Sequence, residues 1–303
     1  MPRYLLKKHA YNPSDSPVAM ARRRPQWPFG IHAHEFSELV IICGGRGKHI
    51  TETEVYPLKR GDVFIITAKH THGYKDLKNL DLINIFFDPL ELDLNAQDLN
   101  AMPSYHALFT LEPAYRARHN FKSTLELNDA ELNHLYGLVD RLDEELRAQA
   151  GGYRTMVCAL FIQIAVFLSR CYQKKNDPAS QPLMRIGEVI SHLERNYDQE
   201  ISLEQLARMA RMSKRNLLRV FHEIMGDSPM NHLLKRRLSK ARELLLHSSM
   251  NITEVAFKAG FQDSNYFSRQ FRRAYGTSPR SYRDKQRSLP DRRSAQSILP
   301  MPF

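Results

Sequence analysis

Two sets of residues in this chain have the types and spacings to do chemistry. The first is His32-x-His34-x-x-x-Glu38, followed by His72, eleven residues beyond Gly61. Alternate residues of an extended strand share a face, so His32 and His34 can point the same way. Imidazole nitrogens with a carboxylate suit a divalent metal. The same donors and acceptors suit the hydroxyls of a small organic ligand, and histidines hydrogen-bonded within a polar interior and binding nothing fit the pattern as well. The second set is Lys214, Arg215, Leu218 and Arg219, matched further on by Ser264, Asn265, Ser268 and Arg269. Arginine can bridge guanine O6 and N7, asparagine can pair with adenine, and small hydroxyls allow close approach to a groove.

The second set sits in an internal repeat. At a shift of fifty residues, ARMARMSKRNLLRVFHEIMGDSP lies over FKAGFQDSNYFSRQFRRAYGTSP, with Glu204 on Glu254, Ala210 on Gly260, Arg219 on Arg269 and Phe221 on Phe271. Each copy reads as helix, tight turn, helix, over 203–224 and 252–275. Leu203, Leu206 and Ala207, then Leu217, Val220, Phe221 and Ile224, mark the buried faces. Ser213 and Asp263 stand where a helix N-cap is needed, and Ser202-x-x-Gln205 has the form of a capping box. Such a pair of helices lets the first brace the second in a major groove. From Ser228-Pro229 to about His247 a connecting helix carries Lys235, Arg236, Arg237, Lys240 and Arg242. Roughly 18 residues at 1.5 Å each make a rod of about 27 Å, close to one DNA turn.

The first set belongs to a different kind of structure. Leu39–Ile42, Val63–Ile66 and Leu82–Phe87 are short apolar runs, with Gly44-Gly45-Arg46-Gly47 and Lys59-Arg60-Gly61-Asp62 between them as expected turns. This spacing predicts a small β-barrel over 1–127. From 128 to 173 the period becomes helical, with Leu132, Leu135, Tyr136, Val139, Leu142 and Leu146 on one face and a second helix after Gly151-Gly152. That hairpin can bury its apolar face within the chain or against a second copy. Residues 174–183 read as a linker, 184–287 as the repeat-bearing domain, and 288–303 as a disordered tail. The expected fold class is therefore α+β in two domains: a β-barrel with a helical hairpin, then an all-α domain with two helix-turn-helix units joined by a long helix.

Charge divides the chain at the same place. Residues 1–180 hold 22 Lys and Arg against 21 Asp and Glu, while residues 181–303 hold 22 against 12. A near-neutral front and a basic back suit a sensor joined to a polyanion binder. Cys43, Cys158 and Cys171 are scattered, without the spacing of a disulfide framework or a thiolate zinc site, which fits a reducing cytoplasm. The start of the chain has no signal-peptide core, and the apolar stretch Met156–Leu168 is too short to span a bilayer, so no membrane partner is expected. No P-loop, G-x-S-x-G or nucleophile with a placed base occurs, so an enzyme is not expected.

Ile252-Thr253-Glu254-Val255-Ala256-Phe257, Gly260-Phe261, Asp263 to Phe271 and Gly276-x-Ser278-Pro279-x-x-Tyr282-Arg283 closely resemble the DNA-binding domain of the AraC/XylS family of transcription regulators. The resemblance implies binding to double-stranded promoter DNA and activation through contact with RNA polymerase, to which Glu254 and Asp263 are candidate contacts beside their solvated and capping roles. The His/Glu spacing is similar to the metal-binding cupin pattern, although Thr67 and Lys69 replace its proline and glycine; a divalent metal is thereby allowed, and none is assigned. His32 to Ile41, Gly45-x-Gly47-x-His49, Tyr56, Arg60 to Phe64, His70-x-His72-x-Tyr74 and Leu82-x-Asn84-Ile85 resemble the L-rhamnose-responsive regulators of the family. That resemblance implies a sugar effector, with His32, His34, Glu38, His49, His72 and Asn84 as its binding residues, while a homodimer as the working form is expected from the apolar face of the 128–173 hairpin. A metal-dependent cupin enzyme fused to DNA-binding helices, and a constitutive DNA binder whose barrel senses nothing, are the competing readings.

Overall fold

A computed structural model describes residues 3–10, 16–51, 54–89, 91–92, 97–116, 125–175 and 180–287. It divides into two compact units, Met1–Gly187 and Glu188–Phe303. The expected tail and residues 176–179 of the expected linker lie outside the described residues.

The first unit is built on β1 (Arg3–Leu5), β2 (Val18–Arg23), β3 (His32–His34), β4 (Ser37–Ile50), β5 (Val55–Lys59), β6 (Asp62–Ile66), β7 (Gly73–Phe87) and β8 (Leu125–Glu126). The main sheet runs β2-β7-β4-β6-β8, with β5 also paired to β4, and each of these pairings is antiparallel. β1 and β3 form a small parallel sheet, joined to the main one by the His32–His72 bridge. Leu39, Val40, Ile41 and Ile42 are all fully buried, because both faces of β4 are covered there. A continuous apolar run is what such a strand needs.

Gly44-Gly45-Arg46-Gly47 is not the turn its composition suggests. β4 runs straight through it, and its pairing with β7 shifts register between Ile42 and Gly44, Gly44 and Arg46, and Arg46 and Lys48. The glycines serve bulges that bend the strand. At Gly45, with φ at +70°, a Cβ would lie 1.9 Å from the Asn79 carbonyl oxygen, so no side chain fits.

Lys59-Arg60-Gly61-Asp62 is a turn as expected, closed by Asp62 Oδ2 accepting the Lys59 amide at 2.8 Å. Burial pushes the Asp62 carboxyl up to about 6. A raised folded pKa means stability that is full below the unfolded value near 4 and lost as pH rises through 6. Asp62→Asn keeps an acceptor for Lys59, so it is expected to stabilise the fold at pH 7.5 by at most about 3 kcal/mol. The gain over wild type should vanish at pH 4, which denaturant melts at the two pH values check.

Between β7 and β8 the chain is helical, at Gln97–Asn100 and Pro103–Arg116, where only strands were expected. Residues His106–Leu111 form a π-turn, with the Glu112 amide donating to Ala107. Pro113 has no amide to offer the preceding turn, and the wider turn accommodates that gap.

The hairpin follows, α1 (Asp129–Ala148) and α2 (Tyr153–Lys174). Asn128 and Glu131 close a capping box on α1. α2 is longer than its apolar core implied. At 22 residues with mean hydropathy 1.7 it has the length and composition of a membrane span. Its Val157, Leu160, Phe161, Ile164 and Leu168 are nonetheless buried, and Phe161 packs on Phe87 of the sheet, so it serves as a core helix.

α3 (Gln181–Arg195) begins inside the stretch read as a linker, since Pro182 in its first turn needs no amide partner. Then come α4 (Leu203–Met209), α5 (Lys214–Met225), α6 (Pro229–His247), α7 (Ile252–Lys258), α8 (Ser264–Tyr275) and α9 (Pro279–Arg287). The two helix-turn-helix units are α4 with α5 and α7 with α8. Their second helices correspond at a shift of fifty, but their first helices correspond at forty-nine. Ser202 and Asn251 are the equivalent caps, and Arg211 and Gly260 take the same left-handed turn position. The second turn holds one extra residue, so the gap-free repeat is corrected: Gln205, not Glu204, matches Glu254.

Candidate functional site

The histidine cluster is assembled where β3, the start of β4 and the start of β7 meet. His32, His34, Glu38, His49 and His72 are all buried. His34 Nε2 lies 3.0 Å from Glu38 Oε2, and His72 Nε2 lies 3.4 Å from the same oxygen. The His32 and His72 rings are 4.1 Å apart, and those of His34 and His72 5.0 Å. His49 stands behind them, its ring 5.8 Å from His72 and 5.0 Å from Phe64. Asn84 pairs with Val40, one pleat on from the Glu38–Phe86 pair and on the same face. Its Oδ1 is buried without a hydrogen-bond partner. Of the six residues proposed from sequence, His32, His34, Glu38 and His72 touch, His49 stands beside His72, and Asn84 is on the same strand face as Glu38.

Backbone carbonyls fix the tautomers. His34 Nδ1 is 2.6 Å from the Phe36 oxygen, His32 Nδ1 3.0 Å from Gly30 and His72 Nδ1 3.4 Å from His70. A carbonyl only accepts, so each Nδ1 donates, and in a neutral ring Nε2 keeps its lone pair. A lone pair facing a carboxylate at 3.0 Å needs a cation or a proton between them. His34, Glu38 and His72 accordingly bring three ligand atoms within 4.8 Å of one another, with the carbonyl bonds that orient the two imidazoles already made. These residues fit a divalent cation. Burial alone would raise the Glu38 carboxyl, but the bonds and charges of His34 and His72 outweigh it and hold the carboxyl well below the usual range. Burial, with the His72 ring alongside, lowers His32 to about 4.

A cavity of about 30 Å³ opens beside the cluster, lined by His49, Thr51, Thr67, His70, His72 and Pro113. That holds a water or so, far less than the few hundred Å³ of a typical small-molecule site. A larger groove of about 380 Å³ lies between β2 and α1, beside Met20, Leu146 and the ion-paired Arg22, Asp143 and Arg147.

In the second unit the repeated helices present the expected groups. Lys214, Arg215, Leu218 and Arg219 are exposed on α5, as are Asn265 and Arg269 on α8, while Ser264 and Ser268 are half-buried. The opposite faces carry Leu217, Phe221 and Ile224, and Phe267 and Phe271, all buried. Ser213 caps α5 and Asp263 caps α8 through side-chain bonds to the amides of Asn216 and Tyr266. Ser202 caps α4, but Gln205 turns to His192 instead of closing the box. The complete box is in the second unit, where Glu254 and Asn251 bond reciprocally. Glu254 and Asp263 are thereby given capping roles.

The basic residues of α6 serve mostly within the unit and not as an outward-facing stripe. Arg236 pairs with Glu194 at 2.7 Å and lies over Tyr197, Arg237 donates to the Tyr197 and Gln199 carbonyls, and Lys235 pairs with Asp227. Sequence reasoning missed this use of Arg236 and Arg237, since their partners lie about forty residues away in the chain. Arg219→Ala and Arg269→Ala are each expected to weaken binding to a cognate duplex by about 1–3 kcal/mol. Fluorescence anisotropy checks this; unchanged affinity in both would sink the recognition-helix assignment.

Comparison with known proteins covers both units. Residues 17–153 match the AraC-like ligand binding domain, and residues 206–285 match a helix-turn-helix domain. The chain is 29% identical over 281 residues to the HTH-type transcriptional activator RhaR of Mannheimia succiniciproducens, spanning 92% of this chain and 96% of that one. Its identity to the activator of the same name from Salmonella schwarzengrund is 30% over 280 residues, 92% and 95% of the two chains. Among solved structures, the DNA-binding domain of AdpA in complex with a target DNA is 34% identical and covers 34% of this chain and 94% of that chain, with a TM-score of 0.33.

Proposed function

Because this chain belongs to the AraC family of DNA-binding transcription regulators, we propose that it activates transcription from promoters bound by α5 and α8, under the control of a small sugar held at the histidine cluster. L-rhamnose is the leading effector. The observation that carries the reading is the junction of two buildable functions in one chain: a buried, polar His/Glu cluster in the first unit and duplicated recognition helices in the second. Identity to relatives named as activators over more than nine-tenths of both chains supports it. The chain is a regulator and not an enzyme.

The working form is a homodimer joined through α1 and α2, and activation runs through contact with RNA polymerase. A divalent cation held by His34, Glu38 and His72 would supply positive charge beside the cavity that His72 lines, to which sugar hydroxyls can bind. A hexose needs more room than 30 Å³, so its entry must open the site. A ligand that prefers the open state shifts the protein toward it by its difference in affinity.

The test is a thermal melt of the full chain with and without a panel of sugars, L-rhamnose included. A ligand at a hundred times its dissociation constant stabilises the fold by about 2.7 kcal/mol. A shift with L-rhamnose that is lost in His72→Ala but kept in Arg22→Ala would fix both effector and site. The opposite pattern would move the site to the β2–α1 groove. No shift with any sugar would overturn sugar control and leave DNA binding standing.

A further inference from the structure

The duplication makes each helix-turn-helix unit a control for the other, and one position breaks the match. Arg219 and Arg269 are equivalent, each exposed at the sixth residue of a recognition helix. Four residues further on, one turn along the same face, α5 has Glu223 and α8 has Arg273. In α5 the guanidinium is held on both sides: Nη1 donates to Glu223 Oε2 at 2.8 Å and Nη2 donates to Asn216 Oδ1 at 3.0 Å. The backbone N–H of Asn216 donates to the cap Ser213, which fixes this residue at the start of the helix. In α8 Arg269 instead lies over the Tyr266 ring, 5.9 Å from its centroid, and the position that could offer a carboxylate is a second cation.

We infer that Glu223 is a specificity-determining residue: it latches Arg219 in the first recognition helix, so that only a base pair offering two acceptors draws the guanidinium away. This rests on the reading of α5 and α8 as recognition helices. A phosphate offers Arg219 a single charged contact in high dielectric, which Glu223 already supplies, so random DNA gains little from displacing the latch. A guanine in register offers O6 and N7 together in the planar fork geometry that guanidinium matches. The latch therefore penalises sites that cannot draw Arg219 away. α8, carrying Arg269, Arg272 and Arg273 and no acidic residue, supplies unspecific grip, and α5 supplies discrimination.

The test uses the full-length protein and two probes: duplexes selected from a random pool by the wild type, and an unselected duplex of equal length. Glu223→Gln keeps the shape and removes the charge. It is expected to raise affinity for the unselected duplex roughly three- to tenfold and that for the selected duplex by less, with the salt slope on unselected DNA steeper by about one. Arg273→Glu builds the latch in α8 and is expected to do the reverse, lowering unselected binding more than selected binding. Equal changes on the two duplexes, or no change in Glu223→Gln, would overturn the latch. If the wild type enriches no sequence at all, the recognition-helix reading fails, and the latch falls with it. Arg273 is exposed and Glu223 half-buried, and circular dichroism of each variant separates a folding defect from a binding one.

Discussion

Glu38→Ala is expected to destabilise the first unit by about 3–5 kcal/mol, the range for removing one partner of a buried charged pair. The carboxylate is 2% exposed and faces two imidazole nitrogens. Truncation leaves both without their partner in a site that water reaches poorly, and a cation held there would lose its one anionic ligand. Glu38→Gln separates the charge from the hydrogen bond. Its amide can donate to the His34 lone pair that the tautomer presents, so it should recover part of the loss.

The pH dependence has a defined sign. Glu38 is held below its unfolded value, so its contribution is present above about 4.3 and lost as pH falls further. His32 is lowered to about 4, so the unfolded chain binds a proton that the native state refuses, and stability falls as pH drops from about 6.5 toward 4. Wild type should lose stability in both windows and Glu38→Ala only in the upper one, as urea melts at stepped pH would reveal. A Glu38→Ala variant as stable as wild type would mean that the cluster carries no buried charge.

The sequence revealed the site more fully than the scaffold around it. His32, His34, Glu38 and His72 were legible because strand alternation and the spacing of loops place them with little freedom. The repeat was legible because a duplicated buried face leaves the same apolar residues at the same offsets. What was missed depends on partners distant in the chain. β1 pairs with β3 although Arg3–Leu5 shows no alternation. The π-turn at 106–111 follows from one proline whose effect lies in the preceding turn. The glycines at 44–47 could signal a turn or a bulge, and only the pairing with β7 decides. The fifty-residue alignment sets Phe257 opposite the buried Ala207, yet Phe257 is 55% exposed. The one-residue shift between the first helices moves it off the position held by Ala207, whose equivalent is Ala256.

That correction carries the second large prediction. Phe271 is fully buried, with rings of Phe267, Tyr275 and Tyr282 centred 4.5 to 5.6 Å away. It belongs to the core that Leu238, Ala241 and Leu245 of α6 share with Val255 and Ala256 of α7. Phe271→Ala removes the ring from the centre of that core, so a cost of about 3–5 kcal/mol is expected. Phe257→Ala, on the exposed side of α7, should stay within about 0.5 kcal/mol of wild type. The two variants remove the same atoms from the same small unit, so the difference between them isolates burial from residue type. Because the first unit has its own core, the Phe271→Ala loss should appear as an earlier melting step of the second unit alone. DNA affinity should fall with that step while the melting of the first unit is unchanged. Equal melting of both units in Phe271→Ala would show that the two fold as one cooperative block, and that the second unit draws its stability from outside the α6–α8 core.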